Sequence, residues 1–404
     1  MTTADPIVIT GLGGVCSLGK DAHEIWTSMK AGVCGIAPLD IPTSVELKTA
    51  IAAQIKELPA HTIHRRHMAT MSQFGLLAVL AANEALADAG LDASTIDPLR
   101  TGVVIGTGVY GGDVVDQAYR DVLIHGKKRT EIFAVPKAMP SSPAVHISMI
   151  HGLKGPVFGV TSACASANNA FASALDLLRA GRADVIVAGG TDAPLNYGVI
   201  KGWEGMRILA KTGCRPFSAD REGLVLGDGA GVAIMERMSH AKARGATIIA
   251  VVAGAGLGAD AGDIVSPDVD GATNAMRQCL ADADLSLTDI DYINAHGTAT
   301  MGNDKTETQA IRALFGSHAD SLAVSSTKSM HGHCLGASGA LELIACCGAL
   351  REGIVPPTIN LTVPDPDCDL DYVPGTARQK GVRAVLSNSF AFGGSNAVIA
   401  LTKP

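Results

Sequence analysis

Aromatic side chains are scarce in this chain: Phe, Trp and Tyr make up 4% of its 404 residues. A core built without them must rely on Ala, Val, Leu and Ile. The apolar fraction of 47% is still enough for a large packed fold and excludes a disordered chain. Positive charge is also short, with a formal net charge of -7. Phosphate backbones are held by clustered Lys and Arg, so nucleic acid is excluded as the main partner. Nine cysteines occur, but no C-x-x-C and no repeated spacing, only the adjacent Cys346 and Cys347. That excludes a disulfide scaffold or a zinc ribbon and suits a reducing compartment. No basic stretch with a long apolar run opens the chain: Met1 to Pro6 lead straight into IVITGLGG, so no secretion leader is expected. The longest low-charge run, Ala337–Leu350, contains Glu342 and is too short to cross a bilayer. A cytoplasmic protein without a membrane span is the expectation.

Short β-branched runs are plentiful. Ile7–Thr10, Thr101–Ile105, Val157–Val160, Val185–Val187 and Val232–Met235 read as strands buried on both faces. Ala-rich helical stretches, Gln73–Ala89, Ser166–Ala180 and Ala337–Arg351, alternate with them, which predicts a layered α/β fold. No low-complexity linker divides the chain. The polar stretch Ser239–Thr247 (SHAKARGAT) is the seam, after which IIAVVAGAG opens a second series of strands.

Within GVTSACASA, residues 159–167, an apolar strand runs into Cys164 with only small neighbours. The helix that follows points its N-terminal N–H groups and dipole at the sulfur, which favours a thiolate. A buried small apolar residue would explain this segment equally well. NAHGTAT places His296, and SSTKSMHGHC places His331 and His333, in loops just beyond strand ends, where α/β proteins put ligands. A thiol and two separated imidazoles suit acyl chemistry with oxyanion stabilisation; two histidines satisfied in loops are the plain alternative. His331, His333 and Cys334 lack a fourth ligand and neighbour Lys328, so no metal is expected. His61, His64 and His67, with Arg65 and Arg66, read as a solvated basic face. The glycines after Phe392 permit a tight loop close to a ligand, or an ordinary turn between strands.

Together these segments resemble the β-ketoacyl-acyl carrier protein synthases, condensing enzymes of the thiolase superfamily. The likeness is carried, in order, by IVITGLGGVCSLG, GPVFGVTSACAS, RPFSADREGLVLGDGAG, NAHGTAT, SSTKSMHGHCLGASGALE and NSFAFGGSNA. It is nearest the elongating Cys-His-His kind. The priming kind has Cys-His-Asn, and thiolases carry a second catalytic cysteine that is missing here. Within the family, DAPLNYGVIKGWEGMRILA and VPPTINLTVPDPDCDLD resemble nodulation-type ketosynthases, which make unsaturated acyl chains, and type II polyketide ketosynthases.

The resemblance implies an α/β thiolase-like fold of two pseudo-duplicated halves in five layers. Residues 1–245 would carry the nucleophile and 246–404 the two histidines. It implies that Cys164 takes the acyl chain as a thioester, while His296 and His333 hold the malonyl thioester oxygen as the carboxylate leaves. Lys328 would orient His333 through Glu307, with Asp304 in support. The N–H groups of Cys164 and Phe392 would form the oxyanion hole, with Phe392 as gate. Thr298 and Thr300 would contact the phosphopantetheine arm, and Ala134 and Val109 would line the acyl pocket. Ala134 stands where a bulky aromatic is common, which implies a channel open to longer or conjugated chains. Ala391 stands before the gate where Gly is usual, which implies a stiffer gate. The partner implied is an acidic acyl carrier protein, with Arg65, Arg66, Lys127, Lys128 and Arg129 as docking candidates. The chain would pair with itself or with a related ketosynthase-like subunit, and no cofactor is implied beyond the carrier's own arm. A catalytically silent chain-length partner and a degradative thiolase are the rivals. The first is disfavoured by the retained Cys164, His296, His333 and Lys328, the second by the paired histidines and the missing second cysteine.

Overall fold

Ten strands share one mixed sheet in the computed structural model, which describes residues 5–41 and 46–404. The first series is β1 (Ile7–Cys16), β2 (Thr101–Gly106), β3 (Val157–Val160), β4 (Val185–Asp192) and β5 (Gly229–Arg237). The second is β6 (Ala250–Ala259), β7 (Tyr292–Asn294), β8 (Ala323–Ser325), β9 (Ala384–Phe390) and β10 (Ser395–Thr402). Across the sheet the order is β8-β7-β9-β10-β6-β1-β5-β4-β2-β3. Each series is therefore wound alike, its third strand at an outer edge and its first at the middle. The orientations repeat too: β2 runs parallel to β3 and β4, and β7 parallel to β8 and β9, while the remaining neighbours are antiparallel. The two series join where Ile7–Ile9 of β1 pair antiparallel with Ala250–Val252 of β6.

Six of the helices among the described residues cover the sheet layers of this thiolase-like fold. On the outside of the first series lie α1 (Gln73–Asp88), against β1, β4 and β5, and α2 (Ser142–His151), against β2 and β3. Between the series lie α3 (Ser166–Arg179) and α6 (Ser338–Glu352), each touching strands of both. Beyond the second series lie α4 (Val269–Asp282), on β6 and β10, and α5 (Met301–Phe315), packed on α4. Helix, sheet, helix, sheet, helix is the resulting layering. α6 is apolar almost all round and buried from Ser338 to Leu350, as a helix enclosed between two sheet layers must be.

Three expectations change. The first strand does not stop at Thr10; it runs through GLGGVC, with an irregularity between Ile9 and Gly11. Gly11 and Gly13 face α1, where a Cβ on Gly11 would come within 2.8 Å of the Ala89 Cβ, and Gly14 faces Ile344 of α6. β3 is not buried on both faces: it is one of the sheet's two outer edges, and Phe158 is half-exposed. Within the polar seam, Met238–Ala243 form a short helix, and Arg244 is drawn in to Glu236 and the Ala89 carbonyl. Most of Met1–Pro6 lies outside the described residues. Among the described residues no helix is long and apolar enough to cross a membrane.

Candidate active site

Two sharp turns build the site. β3 ends at Val160, and the chain turns through Ala163–Ala165 into α3. Ala163 adopts φ +48°, uncommon for a residue with a Cβ, and Cys164 follows it. Ser166 Oγ locks the turn, accepting from the Ser162 N–H at 2.9 Å and donating to the Ala163 carbonyl at 2.6 Å. In the second series, β8 leads through the short helix Lys328–His331 to a turn at Leu335–Ala337 that enters α6. Leu335 has φ +49°, the same conformation as Ala163. Ser338, the counterpart of Ser166, lies 2.9 Å from His333 Nδ1.

His333 Nε2 stands 3.1 Å from Cys164 Sγ. His296 joins them: one ligating atom from each of Cys164, His296 and His333 lies within 4.8 Å of the others, all buried. The two imidazoles meet edge to face, with centroids 5.4 Å apart. The Leu335 N–H donates to His333 Nδ1 at 3.2 Å, which makes Nδ1 the acceptor and leaves the ring proton on Nε2, facing the sulfur. Burial first, and then the Lys328 charge, hold both histidines well below the ordinary 6.5, so both are neutral. A Cys-His-His donor set could ligate zinc, but Lys328 presses a positive charge on all three groups, which disfavours a cation there.

The sulfur itself is a thiol at rest. Burial pushes Cys164 up to about 12, opposed by the Lys328 charge and by the N–H groups of Cys164 and Phe392, and aided by Asp192. The helix dipole alone does not make the expected thiolate, because desolvation outweighs it. The two N–H groups nonetheless bear on the position where charge would develop.

Lys328 is fully buried and paired with Glu342 of α6, which is equally buried. This corrects the expectation that Glu307 is its partner. Glu307 instead accepts from the His296 and Gly297 N–H groups, both at 2.8 Å, and from Asn388 Nδ2 at 3.1 Å, fixing the His296 loop. Asp304, one turn earlier on α5, accepts from the Phe217 N–H at 2.7 Å and the Ala299 N–H at 3.1 Å. Burial raises it to about 6.

A cavity of about 330 Å³ reaches Cys164, lined also by His296, His333, Thr298, Thr300, Phe390 and Phe392. The Thr298 and Thr300 hydroxyls are 2.9 Å apart. Ala134 and Val109 are not on its wall. Ala134 starts the surface helix Ala134–Ala138, and Val109 packs behind Cys164 with its N–H turned to Asp192. None of Arg65, Arg66, Lys127, Lys128 and Arg129 lines the cavity; all five are exposed, with Lys127 paired to Asp121. His67 is buried, accepting from Arg66 Nε, so the expected basic face is solvated only at His61, His64, Arg65 and Arg66. The basic residue that does line the mouth is Arg207, the left-handed residue ending the helix Tyr197–Met206, and it was missed. So was Trp203, whose ring sits 5.8 Å from that of Phe392. The Phe392 loop is tied down by the Gly393 N–H, which donates to the Ile264 carbonyl at 2.8 Å.

Known proteins share this chain's pattern over its whole length. Residues 4–241 match the family model for the β-ketoacyl synthase N-terminal domain, and residues 249–362 match that for its C-terminal domain. Nodulation protein E of Rhizobium sp. (strain N33) is 56% identical over 394 residues, 98% of each chain. The 3-oxoacyl-[acyl-carrier-protein] synthase 2 of Coxiella burnetii is 37% identical, again over 98% of each. The solved ishigamide ketosynthase/chain length factor superposes with a TM-score of 0.95 at 32% identity, covering all of both chains.

Proposed function

The chain belongs to the β-ketoacyl synthase family, and from that premise we propose that it condenses malonyl-acyl carrier protein with an enzyme-bound acyl chain. The observation that carries the reading is the convergence of one thiol and two neutral imidazoles within 4.8 Å at the base of one cavity. The Cys164 sulfur attacks the thioester carbonyl of an acyl carrier. Its proton passes to the departing carrier sulfur, leaving acyl-Cys164. The Nε2–H of His333, with a ring N–H of His296, then holds the malonyl thioester oxygen while the carbon–carboxylate bond breaks and carbon dioxide leaves. The resulting enolate carbon attacks acyl-Cys164. The N–H groups of Cys164 and Phe392 take the oxyanion, which collapses to β-ketoacyl carrier and expels the Cys164 sulfur as a thiolate, and a proton taken up from solvent restores the thiol. Neutral histidines suit this work, since each must donate a hydrogen bond without giving up its proton. The buried Lys328–Glu342 pair keeps the site electropositive.

Thr298 and Thr300 line the path of the phosphopantetheine arm, which is the only carrier of reactive groups needed; no cofactor or metal enters. Arg65, Arg66, Lys128 and Arg129, with Arg207 at the mouth, would meet the acidic carrier. The halves 1–245 and 246–404 divide the thiol from the histidines. The likeness to nodulation-type synthases favours an unsaturated acyl chain and a cytoplasmic setting. Self-association, or pairing with a related subunit, would use the outer edge β3 and the apolar side chains exposed near it: Leu123, Ile124, Ile132, Val135 and Met149.

Intact-protein mass after mixing with acyl carriers of graded length and unsaturation tests the reading. A stable acyl adduct that Cys164→Ala cannot form is expected. An adduct that persists in Cys164→Ala would refute the assignment of the nucleophile.

A further inference from the structure

Asp192, the last residue of β4, is wholly withdrawn from solvent and forms no ion pair among the described residues. Four neutral donors fill its carboxylate. Oδ1 accepts from Thr107 Oγ1 at 2.7 Å and from the Val109 N–H at 3.1 Å; Oδ2 accepts from the Gly108 N–H at 2.7 Å and the Gly336 N–H at 2.6 Å. Gly336 occupies, in the second turn, the place that Cys164 holds in the first. Each directly follows a left-handed residue, Leu335 or Ala163, and lies two residues before a buried serine. In the first turn the N–H at this place bears on the reactive sulfur; in the second the same N–H is filled by a carboxylate from within the fold. No side chain fits at Gly336, where a Cβ would lie 2.7 Å from Asp192 Oδ2 and 2.8 Å from the Thr107 carbonyl carbon.

We propose that Asp192 is a positioning residue for His333. By holding the Gly336 N–H it fixes the Leu335–Gly336 turn, so that the preceding N–H, that of Leu335, stays on His333 Nδ1 and the ring proton stays on Nε2. Its other bonds brace this turn against Thr107–Val109, and the Thr107 carbonyl in turn lies 3.1 Å from Ser166 Oγ of the nucleophile's turn. The inference rests on the decarboxylating role given to His333 under the proposed function.

Asp192→Asn tests it, because an amide presents N–H to donors that need an acceptor. Three readouts are compared with wild type: the fraction of Cys164 that is acylated, the malonyl decarboxylation kcat per acylatable site, and the His333 ring nitrogen resonances, assigned with His333→Asn. Acylation within about threefold of wild type is expected. The kcat per site falls roughly 10- to 100-fold at unchanged KM, less than the loss of a whole oxyanion donor, and a second, Nδ1–H form of His333 appears. A merely structural role would shrink the acylatable fraction but leave kcat per site and the tautomer as in wild type, and that result overturns the proposal. Thr107→Val, which removes one of the four bonds, moves kcat and tautomer the same way by less; it carries the test alone if Asp192→Asn does not fold. A wild type that neither acylates nor decarboxylates removes the functional reading, and the tautomer comparison still decides the role of Asp192.

Discussion

The turn at Ala163–Ala165 and the turn at Leu335–Ala337 leave opposite outer edges of one sheet, begin on the same strained conformation, and run into the two helices buried between the sheet layers. Their surroundings differ. Around the first, small apolar residues clear a way to a thiol. Around the second, Lys328, Glu342, His333 and, nearby, Glu307 and Asp304 are all buried, and each is neutralised, paired or saturated with hydrogen bonds. Under the proposed function, the duplicated backbone separates two tasks: one copy would present the nucleophile in an apolar wall, the other would fix the hydrogen-bond donors in a charged scaffold. Such a division avoids stacking both desolvation costs on one turn.

Removing the nucleophile breaks the comparison most completely. Cys164→Ala leaves both turns intact but is expected to reduce condensation on the order of 10⁴-fold, with no adduct in the mass spectrum. Decarboxylation of malonyl carrier by this variant should survive, because the histidines lie in the other copy. Loss of decarboxylation alongside condensation would contradict the division. Next in size is Lys328→Met, which strands Glu342 in the interior. A stability loss of about 3–5 kcal/mol is expected, seen as a lower Tm. Adding Glu342→Leu should restore most of the Tm, since an apolar pair replaces an ion pair, yet leave decarboxylation low because the cationic field at the imidazoles is gone. A double variant that regains activity would show the pair to be scaffolding alone.

Much of this site was legible because its residues sit in short loops directly after apolar strands: Cys164 after β3, His296 after β7, Lys328 and His333 after β8. Strand ends converge in an α/β fold, so loops far apart in the chain meet. What linear spacing could not give was who bonds whom. Asp304 and Glu307, three apart on α5, share a face, but nothing in that spacing says the donors are backbone N–H groups and not Lys328. Glu342 stood out only as a charge interrupting an apolar run. A lone carboxylate in a helix buried on every side needs a cation or donors, and that physical rule would have found it. Gly336 and Asp192 carried no signal, because their role depends on a contact between the two copies. Ala134 does not line the cavity of the single chain, because its segment forms a surface helix of its own.

Acidity separates the two regions more finely. The thiol in the apolar wall, pushed up to about 12, should alkylate with iodoacetamide at a rate that climbs about tenfold per pH unit through pH 10. The histidines of the charged scaffold should not titrate between pH 8 and 6, since both lie well below 6.5. Decarboxylation is then flat over that range within about twofold. It declines as pH falls through about 6, where Asp192 and Asp304, each raised to about 6 by burial, take up protons and release the N–H groups they hold. A limb centred near 7 that disappears in His333→Asn would show that the histidine is charged in the working range.

The smallest effect is the sharpest comparison, because it changes the same atom in both copies. Ser166 Oγ serves only backbone groups, accepting from the Ser162 N–H, donating to the Ala163 carbonyl and lying 3.1 Å from the Thr107 carbonyl. Ser338 Oγ instead reaches a functional ring nitrogen, His333 Nδ1, which the Leu335 N–H also serves. Ser166→Ala leaves the half-buried Ser162 N–H without its acceptor and the Thr107 carbonyl without the hydroxyl, while the Ala163 carbonyl keeps the Ser166 N–H, so a loss of about 1–3 kcal/mol of stability is expected; the fraction of enzyme that can be acylated drops, while kcat per remaining site is unchanged. Ser338→Ala removes one of two donors from Nδ1, so Tm should hold. Decarboxylation per site should fall by less than about tenfold, the worth of one modest hydrogen bond. If the two substitutions instead give the same profile, both serines serve only the backbone, and His333 owes its tautomer to the Leu335 N–H and the turn behind it.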